Sequence, residues 1–421
     1  MNIVFVFRIV HALFAIITLY FITQYLTPEE QGWYYTFLSF SALIHLFDFG
    51  LSMALVHASA IEFVKLKWGN SGLIIGENYR SFKDFISIAF IKYKKLGLIF
   101  FIIIFPFGIY YFSQSQTSQN HYWLIPWFIH CSVAALSLLC IPFLSIVEGS
   151  GNLKEIYTLK IIQIIIGSTL CCLLIYFNYP LIAPSMILFS LVLTTLLWLI
   201  FYRNNNLPVL SDSNNSYKWK ENIGSFKNKV GITFLGSYLF AQIYTPILFY
   251  FENPELAGQF SLSLAIANMI GLISSSWIAA NIPKMTTAVA KNELNIFKNI
   301  FKKSFYTSSA FLFFSIIIII SLYTLFNDYE ISTRLLSFYN FTGILLVIFM
   351  NHIINTIVIY LRCFKEEPLA IQHFICSIIT FLLGVYFLVN YSITGLIIVI
   401  LMMQIFVIIP ISIIRLKKFS K

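Results

Sequence analysis

The chain has 421 residues, of which 59% are hydrophobic, 18% aromatic and 10% charged, and its net charge is +10. Soluble globular domains carry about a quarter charged residues, so this composition excludes a soluble enzyme or a nucleic-acid-binding domain and places the chain in a lipid bilayer. The positive balance is then information about which side of the bilayer each loop occupies.

About 20 mainly apolar residues cross the roughly 30 Å hydrocarbon core as a helix. Twelve such runs follow in chain order: 3 to 25, 33 to 57, 96 to 113, 123 to 147, 159 to 177, 183 to 202, 230 to 250, 257 to 282, 305 to 326, 335 to 361, 369 to 390 and 393 to 414. The first lacks a basic start and a small-residue cleavage site and is long enough to span, so it reads as helix one rather than a removed signal. With both termini in the cytoplasm, all 27 basic residues except Arg8 and Arg334 fall on the inner side. Short positively charged connections stay on that side, which predicts a multi-pass protein of the bacterial cytoplasmic (inner) membrane. Cys131, Cys140, Cys171, Cys172, Cys363 and Cys376 lie in spans or on the inner side, so they are expected to pack rather than to form external disulfides.

An internal repeat organises the twelve runs. TPEEQGWYYTFL (27 to 38) aligns without gaps to NPELAGQFSLSL (253 to 264) at an offset of 226, pairing Pro28 with Pro254, Glu29 with Glu255 and Gly32 with Gly258. Each copy forms the outer turn between the first and second helices of a six-helix half. Proline starts a helix at its first turn and a carboxylate favours that positive end. Both copies face the same way, so the repeat is parallel. The expected organisation is an all-α integral membrane protein with an N-terminal lobe over 1 to 202, a cytoplasmic linker over 203 to 229 rich in Asn, Ser and Pro, and a C-terminal lobe over 230 to 421.

Two such lobes describe a transporter plan in which substrate sits between the lobes. The outer connections are short, which argues against a lipid-modifying membrane enzyme. No GxxxxGK[ST], HExxH or paired CxxC motif occurs, so no enzymatic activity, metal or cofactor is expected. The GxxxDRxGRR signature of major-facilitator symporters is missing from residues 58 to 95.

The segments YLTPEEQGWYYTFLSFSAL (25 to 43), EGSGNLKEIYTLK (148 to 160), ENPELAGQFSLSLA (252 to 265) and SSSWIAANIPKM (274 to 285) resemble the polysaccharide repeat-unit flippases. These are the O-antigen, Wzx-type members of the multidrug/oligosaccharidyl-lipid/polysaccharide exporter superfamily. The resemblance runs the whole length and implies a MATE-like pair of lobes working by alternating access. It implies a substrate of undecaprenyl pyrophosphate carrying one oligosaccharide unit, moved from the cytoplasmic to the outer leaflet for O-antigen or related surface polysaccharide synthesis. It also implies coupling to a proton or sodium gradient in some members and company with polysaccharide polymerase or assembly proteins. A multidrug or solute exporter of the same architecture is the alternative. Such an exporter handles lipophilic cations and needs cavity carboxylates, of which Asp48 is the one the spans supply.

The residues themselves point to candidates for an anionic substrate. An arginine near a helix centre costs about 2.5 to 3.5 kcal/mol on insertion scales, so Arg8 should face a cavity or a partner. At 1.5 Å per residue, Arg8 and His11 lie roughly 8 and 12 Å from the inner surface, and His45 and Asp48 on helix two roughly 18 and 13 Å. Each pair has i,i+3 spacing and shares a helix face. Arg8 either supplies positive charge to a phosphate, with Asp48 and the histidines switching its availability by protonation, or bridges Asp48 structurally, or snorkels to the interface. A second polar group comprises Asn351, His352 and Asn355, with Gln163, Gln242, Asn268 and Asn281 as further candidates to bond sugar hydroxyls. Each of these also has a plainer role in holding helices together. Lys160 and Arg203 at inner helix ends read as topology anchors, with recruitment of a lipid head group as the alternative.

Overall fold

The two copies of the repeated turn begin two helices in the same way, and the caps explain why. In the computed structural model, which describes residues 3–68, 74–76, 79–114, 122–202, 219–326, 330–364 and 369–419, α1 (Ile3–Tyr25) ends two residues before α2 (Pro28–Ser41). Thr27 caps α2, accepting the Glu30 backbone N–H at 3.2 Å, and Glu30 Oε2 accepts the Thr27 N–H at 2.8 Å. This reciprocal capping box satisfies two otherwise orphaned donors. The carboxylate that closes it is Glu30, not the Glu29 that the repeat shares. In the second copy Asn253 caps with its side-chain oxygen on Leu256 N–H at 2.7 Å and Pro254 takes the first helical position. Leu256 stands where Glu30 does, so the return bond is missing and the second cap is one-way.

The chain divides into two compact units, Met1–Leu235 and Gly236–Lys421. In the first, α2 is followed by α3 (Leu43–Asp48), α4 (Leu51–Glu62), an antiparallel hairpin pairing Leu66–Trp68 with Ile74–Gly76, and α5 (Tyr79–Ser113). Then come α6 (Leu124–Gly149), α7 (Leu153–Tyr176), α8 (Ala183–Leu197) with a π-helical turn over Trp198–Tyr202, and most of α9 (Trp219–Ser237). The linker residues 203 to 218 lie outside the described residues. The core of this unit is aromatic: Trp33, Phe37, Phe112 and Trp127 are fully buried, with ring centroids 5.0 Å apart for Trp33 and Phe112 and 5.2 Å for Phe37 and Trp127. Edge-to-face and tilted rings gain about 0.5–1.5 kcal/mol per pair beyond area burial, a useful term where lipid removes the usual hydrophobic drive between helices.

The second unit contains α10 (Tyr244–Phe251) after a π turn at Tyr238–Gln242, then α11 (Pro254–Ala290), α12 (Leu294–Leu325), the single turn α13 (Glu330–Thr333) and α14 (Phe338–Cys363). It closes with α15 (Ala370–Met403), a π turn at Gln404–Ile408 and α16 (Ile409–Phe419). Phe297 of α12 packs on Tyr360 of α14 at 4.8 Å, with Ile278 and Met285 of α11 in the same core.

Ten described helices are long and apolar enough to cross a membrane, and Pro28–Asp48 with Leu51–Lys65 makes an eleventh if the bent pair is one span. The last of the ten, Ala370–Lys417, has 48 residues, or roughly 72 Å at 1.5 Å per residue, about twice a bilayer. Tyr391 (φ −133) and Ser392 (φ 56, ψ −159) are non-helical and divide it, giving the two spans expected there, so that with the bent pair the described residues hold twelve. Large apolar side chains such as Ile102 (67%), Ile125 (70%), Phe314 (63%) and Phe406 (69%) face outward, which suits lipid rather than water. The six cysteines are free and buried, as packing residues should be. The chain is therefore an all-α, multi-pass membrane protein.

The main departure from expectation is in two segments that the sequence places in inner loops. Residues 79 to 95, expected as loop, are the start of α5, and α12 begins at Leu294 rather than at 305. Their lysines alternate with buried apolar positions, Phe82, Phe85, Ile86 and Tyr93 in α5 and Phe297 in α12, so both helices begin with amphipathic turns.

Candidate functional site

The second span is not one helix, and the break is where its acid sits. Asp48 ends α3; Phe49 (φ 44) and Gly50 (φ 75) are both left-handed, and the two helical parts meet at 49°. The left-handed conformation costs a residue with a Cβ roughly 1–2 kcal/mol, so Gly50 suits the turn and Phe49 needs support. Its ring has Gly231 of α9 against it and the Lys227 ammonium 5.7 Å from its centroid. A Cβ on Gly50 would lie 2.8 Å from both Gly231 N and Lys227 O. The break is therefore held by a close backbone approach of α9.

Asp48 is 1% exposed, and a buried carboxylate needs donors. Its oxygens accept the Ser52 backbone N–H at 3.1 and 3.2 Å and the Ser52 hydroxyl at 2.7 Å, and Oδ1 accepts the Tyr93 phenol of α5. The carboxylate thus caps the first turn of α4, whose positive end favours it. Every donor around it points inward.

Arg8 and His11 lie on the exposed face of α1, while α1 packs on α7 through Phe7 on Tyr157 (5.3 Å) and Tyr25 on Tyr176 (5.6 Å). His11 stacks with Phe7 at 6.0 Å. The Arg8–Asp48 bridge that the helix rise permits is not formed: Asp48 is engaged by Tyr93 and Ser52, and the ion pair among the described residues is Lys160–Glu148 at 2.9 Å. His45 is exposed, 6.1 Å from the Phe234 ring. Gln163 is half-buried on α7 with Nε2 lacking a partner.

In the second unit, His352 Nε2 meets Ser308 Oγ at 3.1 Å and the Ser308 carbonyl accepts the Ser274 hydroxyl at 2.6 Å, tying α14, α12 and α11. Asn351 Oδ1 accepts Gln404 Nε2 at 3.0 Å, and Asn281 Nδ2 donates to Ser304 Oγ at 3.0 Å. These bonds knit helices, the plainer of the two roles open to them. Asn268 and Asn355 are exposed on α11 and α14, and Gln242 is exposed at the end of its π turn. Asn351 and His352, neighbours on α14, bond different partners, Gln404 and Ser308, and Arg8 stays apart from Asp48.

Three participants escaped the sequence reading. Tyr93 stands between Lys92 and Lys94 and so looked like loop. Gln404, the one polar residue in LMMQIFVI, carried a visible signal: it is fully buried, opens a π turn, and its Oε1 has no partner. His130, 1% exposed on α6, meets Ser41 at 2.8 Å and Ser185 at 3.1 Å and ties α2, α6 and α8.

No protein-family model and no curated protein sequence matches the chain. Solved structures do. An inward-facing multidrug resistance MATE family transporter of the MOP superfamily is 14% identical, with 98% of this chain and 96% of that one covered at a TM-score of 0.66. An outward-facing structure of such a transporter gives 14%, 98%, 94% and 0.61. The lipid II flippase MurJ, in an inward closed conformation, is 15% identical, with 99% and 86% covered at 0.66. The chain thus has the fold that multidrug exporters and a lipid flippase share.

Proposed function

We propose that the protein is a flippase that carries a polyprenyl-pyrophosphate-linked oligosaccharide from the cytoplasmic to the outer leaflet by alternating access, in service of O-antigen or a related surface polysaccharide. The observation that carries this reading over cation export is the fate of the two buried-zone charges. Asp48, the acid a cationic drug would need, is sealed in hydrogen bonds with Ser52 and Tyr93, whereas Arg8 is exposed and free of any ion pair among the described residues. A guanidinium of this kind pairs well with phosphate. The fold neighbours include a lipid II flippase, which supports a lipid-linked cargo.

The direction is favourable in a cell with a negative interior, since each negative charge moved outward gains about 2.3 kcal/mol per 100 mV. Resetting the empty carrier then needs its positive charge offset, and entry of a coupled cation supplies a means. Polymerase or assembly proteins would receive the product on the outer side. Deleting the gene from its own host tests the reading: lipid-linked repeat units should accumulate on the cytoplasmic face, accessible to a membrane-impermeant probe only after the cells are opened. Normal external display of the polysaccharide in the deletion strain would refute it.

A further inference from the structure

The first turn of α7 builds a polar corner that the mechanism above does not use. Asn152 caps the helix, its oxygen accepting Glu155 N–H at 3.4 Å while its amide donates to the Glu155 carboxylate. Trp198 Nε1 donates to the other carboxylate oxygen at 2.7 Å. Trp198 opens the π turn after α8, and such turns recur at functional positions. Glu155 is therefore occupied by two N–H donors and the helix end. Lys154 beside it is exposed and forms no ion pair among the described residues, whereas Lys160 is committed to Glu148 and lies 5.0 Å from the centre of the Tyr157 ring.

Beyond this corner a groove of about 580 Å³ runs between the two helices, walled by Leu159, Ile162 and Ile166 of α7 and by Leu197, Trp198 and Phe201. Its volume falls in the range of about 300–1,000 Å³ typical of small-ligand sites. The groove has a polar mouth carrying one uncommitted cation, on the side that the charge distribution assigns to the cytoplasm, and an apolar body at membrane depth. That polarity fits an amphiphile with an anionic head and a hydrocarbon tail. A slot between two helices, with one ammonium at its mouth, suits a single chain better than the paired chains of a phospholipid.

We propose that this groove seats the isoprenoid chain of a polyprenyl phosphate lipid in the cytoplasmic leaflet, with the Lys154 ammonium meeting its phosphate. The identity of the lipid rests on the flippase reading; the polarity of the groove does not.

The test uses the full-length protein in vesicles of phosphatidylethanolamine and phosphatidylglycerol, with a diazirine-bearing undecaprenyl phosphate as the probe. After illumination, adducts are mapped by peptide mass spectrometry. Labelling should concentrate on residues 153 to 166 and 194 to 201. Lys154→Glu should reduce it about tenfold, the loss expected when a charge-assisted contact is removed, and Lys154→Arg should retain it. Ile162→Trp, which fills the groove and leaves the charge, should also abolish labelling, so the result stands even if the charge reversal misfolds. Labelling spread evenly over the spans, equal labelling of Ile162→Trp and wild type, or full displacement by excess dioleoyl phosphatidylglycerol would overturn the proposal. Photolabelling needs no transport. Groove labelling without translocation would sink the flippase reading alone, and translocation without groove labelling would sink this site alone.

Discussion

Replacing Tyr93 by Phe removes one O–H donor from Asp48 together with the phenol's contact to the Ser52 hydroxyl. The ring volume is kept, so the cavity term is small, and what is lost is a hydrogen bond to a buried charged group. Such bonds contribute about 1.5–3 kcal/mol, and the 1% exposure of Asp48 gives water no route to replace the donor. Ser52 still supplies its backbone N–H and hydroxyl, so the break survives and the expected destabilisation is about 2 kcal/mol rather than collapse. The decisive form is a double-mutant cycle with Asp48→Asn, read by titrating SDS into dodecyl maltoside micelles and following loss of helical circular dichroism. Contacting residues show coupling of about 0.5–3 kcal/mol. In the Asp48→Asn background the Tyr93→Phe effect should therefore shrink to a fraction of its wild-type size. An equal effect in both backgrounds would mean that the phenol acts through packing alone, and the description of the break as a carboxylate-centred device would be wrong.

Other outcomes follow from the same geometry. Gly50→Ala combines a left-handed backbone with a clash on α9, a sum of about 2–5 kcal/mol, whereas Gly151→Ala, also left-handed but facing open space, should cost about 1–2 kcal/mol; similar midpoints for the two would contradict the close approach at Gly231. Removing the cap by Thr27→Ala or Asn253→Ala should each cost about 0.5–2 kcal/mol, but Glu30→Ala should add a loss that Leu256→Ala does not show as a capping effect, measured by amide exchange at the first turns of α2 and α11. Burial first, then Glu29 and Glu30, push the Tyr122 phenol up from 10.0 to about 12. The folded state thus prefers the neutral phenol, so its contribution is intact below pH 10 and is lost as pH rises through about 12. Subtracting the spectrophotometric titration of Tyr122→Phe isolates this group; Glu29→Gln with Glu30→Gln should lower the value part of the way, since burial remains, and a wild-type value at 10 would refute the assignment.

The spans and the repeated helix start are legible because they are written in composition and local chemistry. Runs of apolar residues fix where the chain can cross, and Pro28 and Pro254 mark helix starts whose caps stand one residue earlier. The break at Phe49–Gly50 was not read, because a single Gly in an apolar run is compatible with a continuous helix, and its support comes from Gly231, far along the chain. The same holds at the site. Asp48 is visible in the sequence as a buried acid, but depth along neighbouring spans pairs it with Arg8. The actual donor, Tyr93, lies on a helical extension whose flanking lysines made it resemble a loop. Tertiary pairing across the sequence, rather than position within a span, decided which group met the carboxylate.

The central claim is that the protein moves a pyrophosphate-linked lipid oligosaccharide and uses Arg8 to hold the pyrophosphate. The most direct measurement is translocation in vesicles containing the purified protein and a fluorescent polyprenyl-pyrophosphate oligosaccharide, followed by a membrane-impermeant quencher, in parallel with efflux of a lipophilic cation. The account predicts lipid translocation above protein-free vesicles, a fall of about tenfold or more for Arg8→Ala as a charge-assisted contact is lost, and no cation efflux. Cation efflux without lipid translocation, or translocation indifferent to Arg8→Ala, would contradict it.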